Sequence, residues 1–267
     1  MISVVTPALN AAHVIERNLS AMAKQQGDFE HIIQDGGSRD GTRAVVERFL
    51  GAYRVRFCEE PDNGIYDAVS KGMSKAKGSI LAWLGADDYY TPWALSTVEA
   101  VFHRFPNIDW IIGIPALGFD NGRRVWVASL APVYVRALIQ RGWYSAGALG
   151  FLTQESMFWR RSLWDKVDGS SIIRRYQTAG DYHLWRAFAK YTPLRTVSSI
   201  LAVFSLSEQQ VSNKFIRRYL QEVNPSKPLD ERTVSKLDIG PSATGKLFNR
   251  VVSILCNQTV LRPGFGF

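Results

Sequence analysis

Two cysteines in 267 residues are too few for a disulfide framework. Cys58 and Cys256 both sit in apolar surroundings, which predicts buried thiols and a reducing compartment. Long apolar runs are missing too: none approaches the ~18 residues of a membrane span. The opening "MISVVTPALN" lacks a basic stretch and a small-residue cleavage site, so no signal peptide is expected. No repeat recurs at solenoid spacing. No G-x-G-x-x-G follows the first strand-like run, and G-x-x-x-x-G-K-[ST] occurs nowhere. Those absences count against a dinucleotide oxidoreductase and a P-loop ATPase. Acidic residues are the minority, 24 against 32 basic ones, for a net charge of +8. That balance favours anionic partners: nucleic acid, an acidic membrane face or phosphorylated substrates. The pairs Arg160-Arg161, Arg174-Arg175 and Arg217-Arg218 are scattered and form no nucleic-acid stripe.

What is present is an ordinary globular composition, 46% hydrophobic and 21% charged, enough for one sizeable core. Strand-like and helix-like patterns alternate four times with short links. "ISVVTP", ended by Pro7, is the first strand, and Ala11 to Gln25 has helical spacing. "FEHIIQD", "VRFCEE" and "SILAWL" are further strands; "TRAVVERFL", "YDAVSKGMSKA" and "PWALSTVEAVFHRF" are helices. The alternation predicts an α/β fold, a parallel sheet with helices on both faces. Beyond Phe105 the rhythm loosens, with strands at "DWIIG", "RVWVA" and within "LRTVSSILAVFSL", and helices at "PVYVRALIQRG" and "DYHLWRAFAKY". "QESMFWRRSLWDKV" reads as a strand running into a helix. From Ser212 the chain is polar, with a loose connection over "NPSKPLDERTVSKLDIGPSATG". "KLFNRVVSILCNQTVL" is amphipathic, suited to packing on the body or lying on a membrane.

Carboxylates recur at the ends of the strands. Asp35 closes the second, Glu59, Glu60 and Asp62 the third, Asp87 and Asp88 the fourth. Ligands of open α/β sheets bind at those carboxyl ends. Thr91 is expected to cap the following helix with Pro92 at its first position, which leaves Asp87 and Asp88 without a capping role. A concave edge rich in carboxylates suits Mg²⁺ or Mn²⁺ bridging a diphosphate. "QDGGSRDGT" reads equally as a nucleotide cradle around Asp35 or as a strand–turn–helix junction.

Four segments, "ISVVTPALN", "QDGGSRDGT", "EPDNGIYDAVSKGMSKAKGSILAWLGADD" and "TAGDYHLWRAF", occur in that order. Together they resemble the inverting, GT-A-fold glycosyltransferases of family 2, among them bacterial enzymes of surface-polysaccharide assembly of the colanic-acid type. The resemblance implies a GT-A domain over 1–212, divided into a nucleotide-sugar half (1–105) and an acceptor and catalytic half (106–212), with a C-terminal extension over 213–267. It implies that Thr6, Pro7 and Ala8 belong to a loop touching the donor nucleotide. Asp35 would bind base or ribose, and Asp67 would face the sugar or ribose side. "GADD" matches the metal-binding region, with Gly85 where the fuller "DADD" form has its first carboxylate. Asp87 and Asp88 remain for Mg²⁺ or Mn²⁺, and Asp87 also for the donor. Asp181 matches the catalytic base; by position alone it would serve as a helix cap.

"TQESMFW" would line the acceptor side, with Gln154 and Glu155 as its polar candidates, while Phe158 and Trp159 suit the core, and Trp185 suits the core better than stacking on a sugar face. The basic residue that relatives carry near Phe204 to Ser212 is missing, leaving Gln209, Gln210, Lys214 and Arg217 as substitutes. The implied activity is metal-dependent transfer of a sugar from a nucleotide diphosphate sugar to a glycan or lipid-linked acceptor, in the cytoplasm or at the inner membrane's cytoplasmic face, without nucleic acid. Two other readings are a non-catalytic sugar-binding member of the fold and a sugar-phosphate nucleotidyltransferase. The latter lacks its glycine-rich basic loop at "TPALNAAH".

Overall fold

The first strand is apolar on both faces, so both must be covered. In the computed structural model, which describes residues 1–119, 124–145, 148–206, 216–223 and 260–261, all seven residues of β1 (Ile2–Ala8) are buried. Strands β2 (Phe29–Asp35), β3 (Val55–Glu59) and β4 (Ile80–Trp83) join β1 in the parallel order β3-β2-β1-β4. Helices α1 (Ile15–Met22), α2 (Thr42–Glu47) and α3 (Ile65–Lys75) link them. After β4 come the short β5 (Tyr89–Tyr90) and helix α4 (Ala94–Arg104). Neighbouring residues serve opposite faces: Val4 packs into the cluster around α4, Val5 into the tryptophan-rich cluster around α3.

The second half extends the same sheet. Strands β6 (Trp110–Ile112), β7 (Ala116–Phe119) and β8 (Arg124–Val127) precede α5 (Arg136–Gln140). A 3₁₀ turn (Gln154–Ser156) then leads into β9 (Met157–Arg160), helices α6 (Arg161–Val167), α7 (Gly169–Ile173) and α8 (Gly180–Ala189), and strands β10 (Arg195–Val197) and β11 (Ala202–Ser205). Helix α9 (Ile216–Val223) and strand β12 (Val260–Leu261) complete the described elements. The large sheet has the order β12-β10-β6-β9-β4-β1-β2-β3, with β9 antiparallel to both neighbours. A small sheet, β5-β11-β7-β8, stands beside it. Trp83, Trp110, Trp159 and Trp185 pack together in the core, with Trp83 stacked on Trp185 at 5.6 Å. Phe158, Trp159 and Trp185 are therefore core residues, as their patterns suggested.

Two local expectations are corrected. Strand β1 does not end at Pro7 but runs to Ala8, so Thr6, Pro7 and Ala8 lie in the strand and the loop starts at Leu9. The ladder to β4 stops at Val5, and a residue without an N–H is tolerated where pairing on one side has ended. Thr91 is not the cap of α4; Trp93 stands at that position without a side-chain cap. The Thr91 hydroxyl instead donates to the Ile200 carbonyl at 2.8 Å, an acceptor it shares with Trp93 Nε1 at 3.0 Å. Among the described helices none is long and apolar enough to cross a membrane. Cys58 is a free, half-buried thiol. Cys256, Gln209, Gln210, Lys214, the loose connection after Val223 and most of the amphipathic segment lie outside the described residues.

The seam between α3 and β1 gives a first test. A Cβ on Gly72 would overlap Val5 Cγ1 and come within 3.1 Å of Cγ2. Helix propensity alone favours Gly72→Ala by about 1 kcal/mol. Overpacking of about 1–3 kcal/mol should win, so the urea midpoint of Gly72→Ala should fall. A midpoint at or above wild type would contradict the close seam.

Candidate active site

The carboxyl end of β4 opens into the loop Leu84 to Asp88, and backbone bonds fix its path. Asn18, buried on α1, donates to the carbonyls of Gly85 (2.9 Å) and Asp88 (3.2 Å). Arg17 Nη2 donates to the Asp87 carbonyl (2.8 Å) and to Ser205 Oγ (2.6 Å), its guanidinium lying over the Tyr89 ring. The Ser205 N–H, at the end of β11, donates to Asp88 Oδ1 at 2.8 Å. A Cβ on Gly85 would stand 2.7 Å from Asp88 Oδ2 and 3.0 Å from Asp87 Oδ1. The two carboxylates thus converge on the space that the missing side chain leaves open. Burial first, then the charges of Asp87 and Asp88's other acidic neighbour Glu155, hold Asp88 well above the usual carboxylate range. Burial raises Asp87 as well, with Arg17 and His13 acting against it.

Asp181 lies in the first turn of α8, one residue past Gly180. A Cβ on Gly180 would come within 2.9 Å of the Tyr66 ring, so glycine lets that ring pack against the helix start. The Tyr66 hydroxyl donates to Asp181 Oδ1 at 2.8 Å. The capping role for Asp181 is not observed: Ala179 holds the N-cap position and no side chain caps there. Burial raises the proton affinity of Asp181, against the lowering effect of the Tyr66 bond.

Glu155, in the 3₁₀ turn, is 3% exposed, and its Oε1 has no hydrogen-bond partner among the described residues. Burial pushes it up to about 8, helped by the negative charges of Asp181 and Asp87. Its neighbour Gln154 is tied down by donating to the Trp83 carbonyl at 2.5 Å. The structure therefore brings together Asp87, Asp88, Glu155 and Asp181.

The remaining candidates have other partners. The Thr6 hydroxyl meets His31 Nε2 at 2.9 Å inside the sheet. Asp35 accepts from the N–H groups of Gly37 (2.9 Å) and Ser38 (2.7 Å) and from the Ser38 hydroxyl (2.6 Å). Both readings of "QDGGSRDGT" thus stay in play, since the carboxylate shapes a turn at the ligand edge. A Cβ on Gly36 would overlap the Asp62 carboxylate, so that glycine answers to Asp62. Asp67 accepts from the Asn63 N–H and pairs with Lys71 (3.3 Å) and Arg174 (3.1 Å). Against burial, these partners hold its carboxyl below the usual range. Glu59 pairs with Arg43, and Glu60 with Lys71 and Lys75. Among the described residues Asp87, Asp88, Glu155 and Asp181 have no ion pair, and neither do Asp35 and Asp62, whose carboxylates instead accept from N–H groups of their own turns.

Two carboxylates converging over an open space, with hard oxygen donors and incomplete charge compensation, fit Mg²⁺ or Mn²⁺. Sequence reasoning missed the groups that build this site. Asn18 left a signal, being polar on the otherwise apolar face of α1 that also carries Ile15, Leu19 and Met22. Tyr66 and Arg17 left none, because only the fold brings them to Asp181 and Asp87.

The crowding predicts a pH effect. Folding raises Glu155 from an ordinary 4.5 to about 8, so its contribution to stability is full below 4.5 and lost as pH rises through about 8. His31 acts oppositely: burial lowers it from 6.5 to about 3, so its contribution is full above 6.5 and lost as pH falls through about 3. In chelator, the melting temperature should fall between pH 6.5 and 8, and Glu155→Gln should remove much of that slope. Equal slopes in the two proteins would refute the crowding.

Known proteins share this chain's pattern. The model of glycosyl transferase family 2 matches residues 3–176. A PGL/p-HBAD biosynthesis glycosyltransferase of Mycobacterium bovis is 28% identical over 228 residues, covering 82% of this chain and 83% of that protein. Among solved structures, S. aureus TarS 1-349 in complex with UDP-GlcNAc superposes with a TM-score of 0.64 at 16% identity, over 95% of this chain and 74% of that one. The mannosyltransferase PcManGT of Pyrobaculum calidifontis, in complex with GDP-Man and Mn²⁺, gives 0.59 at 15% identity, over 96% and 76%. The fold is thus that of the GT-A glycosyltransferases, and with nearly two-thirds of its length matched by the family model, the chain belongs to glycosyl transferase family 2.

Proposed function

We propose that this chain moves one sugar from a nucleotide diphosphate sugar to a hydroxyl of a glycan or lipid-linked acceptor, with inversion, in bacterial polysaccharide biosynthesis. The observation that carries this reading is the pairing of two acidic centres: Asp87 and Asp88 beside Gly85, and Asp181 held by Tyr66. Asp87 and Asp88 would hold Mg²⁺ or Mn²⁺, which would supply the positive charge that a departing diphosphate needs. Asp88 Oδ1 is engaged by Ser205, so Asp87 and the other oxygen of Asp88 are the available donors. The donor's nucleoside lies along the ends of β1 and β2, near Thr6, Pro7, Ala8 and Asp35, with Asp67 toward its sugar side. The UDP-GlcNAc and GDP-Man in the two structural neighbours support a donor of this class.

Asp181 acts as the base. Tyr66 engages one oxygen, which turns the other toward the acceptor hydroxyl, and burial makes it a better proton acceptor than an exposed aspartate. The acceptor oxygen bonds to the anomeric carbon while the bond from that carbon to the diphosphate oxygen breaks. The bonding pair leaves with the diphosphate, and the hydroxyl proton goes to Asp181. Burial and the charges of Asp181 and Asp87 raise the proton affinity of Glu155, which disfavours a further negative charge between the two centres. The enzyme works in the cytoplasm, and its net charge of +8 suits the anionic face of the inner membrane, where a lipid-linked acceptor would lie.

A panel of nucleotide sugars, read by release of nucleoside diphosphate, tests the activity; no release from any donor under Mn²⁺ would reject it. Asp181→Asn should lower turnover by about 10²- to 10⁴-fold and leave donor affinity and melting temperature near wild type. Normal turnover would remove Asp181 from the mechanism. Asp87→Ala should abolish Mn²⁺-dependent binding of nucleoside diphosphate without lowering stability. Asp88→Ala should also cost about 1–3 kcal/mol of stability, because the Ser205 N–H loses its acceptor. Intact metal-dependent binding in both variants would reject the metal assignment.

A further inference from the structure

Glu222 lies on α9, beyond the residues that the family model matches. Its carboxylate accepts four hydrogen bonds. Oε1 takes the N–H of Gln177 at 3.0 Å. Oε2 takes the N–H groups of Thr178 and Ala179 and the Thr178 hydroxyl, each at 2.9 Å. Burial opposes charge there, yet these donors hold Glu222 below the usual carboxylate range. The helix is docked by other means as well. Tyr219, Leu220 and Val223 pack with Ala179 and Tyr182, and the His183 ring meets the Glu222 carbonyl at 3.1 Å. Docking alone therefore leaves the four bonds without a reason.

The segment that Glu222 grips leads straight into α8. Asp181 follows two residues after Ala179, and the Thr178 carbonyl stands 3.3 Å from the Tyr66 hydroxyl that holds the base. Tyr66, Arg174, Arg218 and Glu222 line one hollow of about 240 Å³. We propose that Glu222 is a positioning residue for Asp181: by gripping Gln177, Thr178 and Ala179 it fixes the start of α8 and the direction of the base's carboxylate. This rests on the reading of Asp181 as the base.

The charge of Glu222 has a second consequence. Among the described residues, the ionisable groups acting on Asp181 are Tyr66 from α3, Glu155 from the 3₁₀ turn and Glu222 from α9, whose Oε1 also faces Arg218 Nε of the same helix at 3.5 Å. Burial raises the proton affinity of Asp181 most, and the negative Glu222 raises it further. Glu222→Gln keeps the size of the side chain and one acceptor oxygen but removes the charge.

Wild type, Glu222→Gln and Glu222→Ala are compared as full chains. Turnover is followed against pH, nucleoside diphosphate affinity is measured, and the Asp181 carboxyl is titrated by carbon-13 NMR. Glu222→Ala should lose turnover by about 10²-fold, the cost of misplacing a reacting group, with nucleoside diphosphate affinity unchanged. In Glu222→Gln the Asp181 resonance and the acidic limb of turnover should both move to lower pH. Unchanged turnover in folded Glu222→Ala, or an Asp181 titration unmoved in Glu222→Gln, would overturn the proposal. If Glu222→Ala does not fold, the Glu222→Gln titration decides. Absence of transfer by wild type with every donor would reject the proposed activity, and the titration would still decide the role of Glu222.

Discussion

Four carboxyl groups, those of Asp87, Asp88, Glu155 and Asp181, are crowded where β4, the 3₁₀ turn and α8 meet, with Arg17 as the nearby cation. Like charges in a poorly hydrated space repel and favour bound protons over ionisation. Such an arrangement persists only if the backbone is held from outside the charged centre. The structure does this with Asn18 and Arg17 from α1, which hold the loop by its carbonyls, and with the Ser205 N–H from the small sheet. The tryptophan cluster under Trp83 and Trp185 gives the floor its rigidity.

The same sheet edge carries a second population of acids with a different fate. Glu59, Glu60 and Asp67 each find an arginine or lysine, and Asp35 is engaged by its own turn. The exposed pairs of Glu59 and Glu60 contribute little to stability, but all these pairs remove their carboxylates from competition for a cation. The division is spatial. Residues near α2 and α3 meet Arg43, Lys71 and Lys75, whereas the loop after β4 faces α1 and the small sheet.

The part of the chain beyond the matched family region belongs to the site's architecture. Helix α9 reaches the entry of α8 through Glu222 and an apolar face, and β12 adds an edge to the large sheet beside β10. The surroundings of Asp181 are thus assembled from α3, the 3₁₀ turn, α8 and α9, segments separated by as many as 115 residues in the Tyr66–Asp181 bond alone.

The sequence by itself determined the α/β alternation, the sheet edge on which carboxylates gather, and Asp87 and Asp88 as candidates for chemistry, while Asp181 became a candidate only through the family resemblance. It could do so because strand and helix periods, and residues that follow a strand directly, are local properties. It also placed Phe158, Trp159 and Trp185 in the core. What a side chain touches is not local. Thr91 looked like a cap until the Ile200 carbonyl was seen to take its hydroxyl, and Thr6 looked like loop until β1 was seen to run on to Ala8. Only the tertiary structure separated the carboxylates with basic partners from those without, and only it brought Tyr66 to Asp181 and Glu222 to the turn just ahead of it. Those contacts join residues far apart in the chain, and nothing in a run of neighbouring residues encodes which distant donor will meet a given carboxylate.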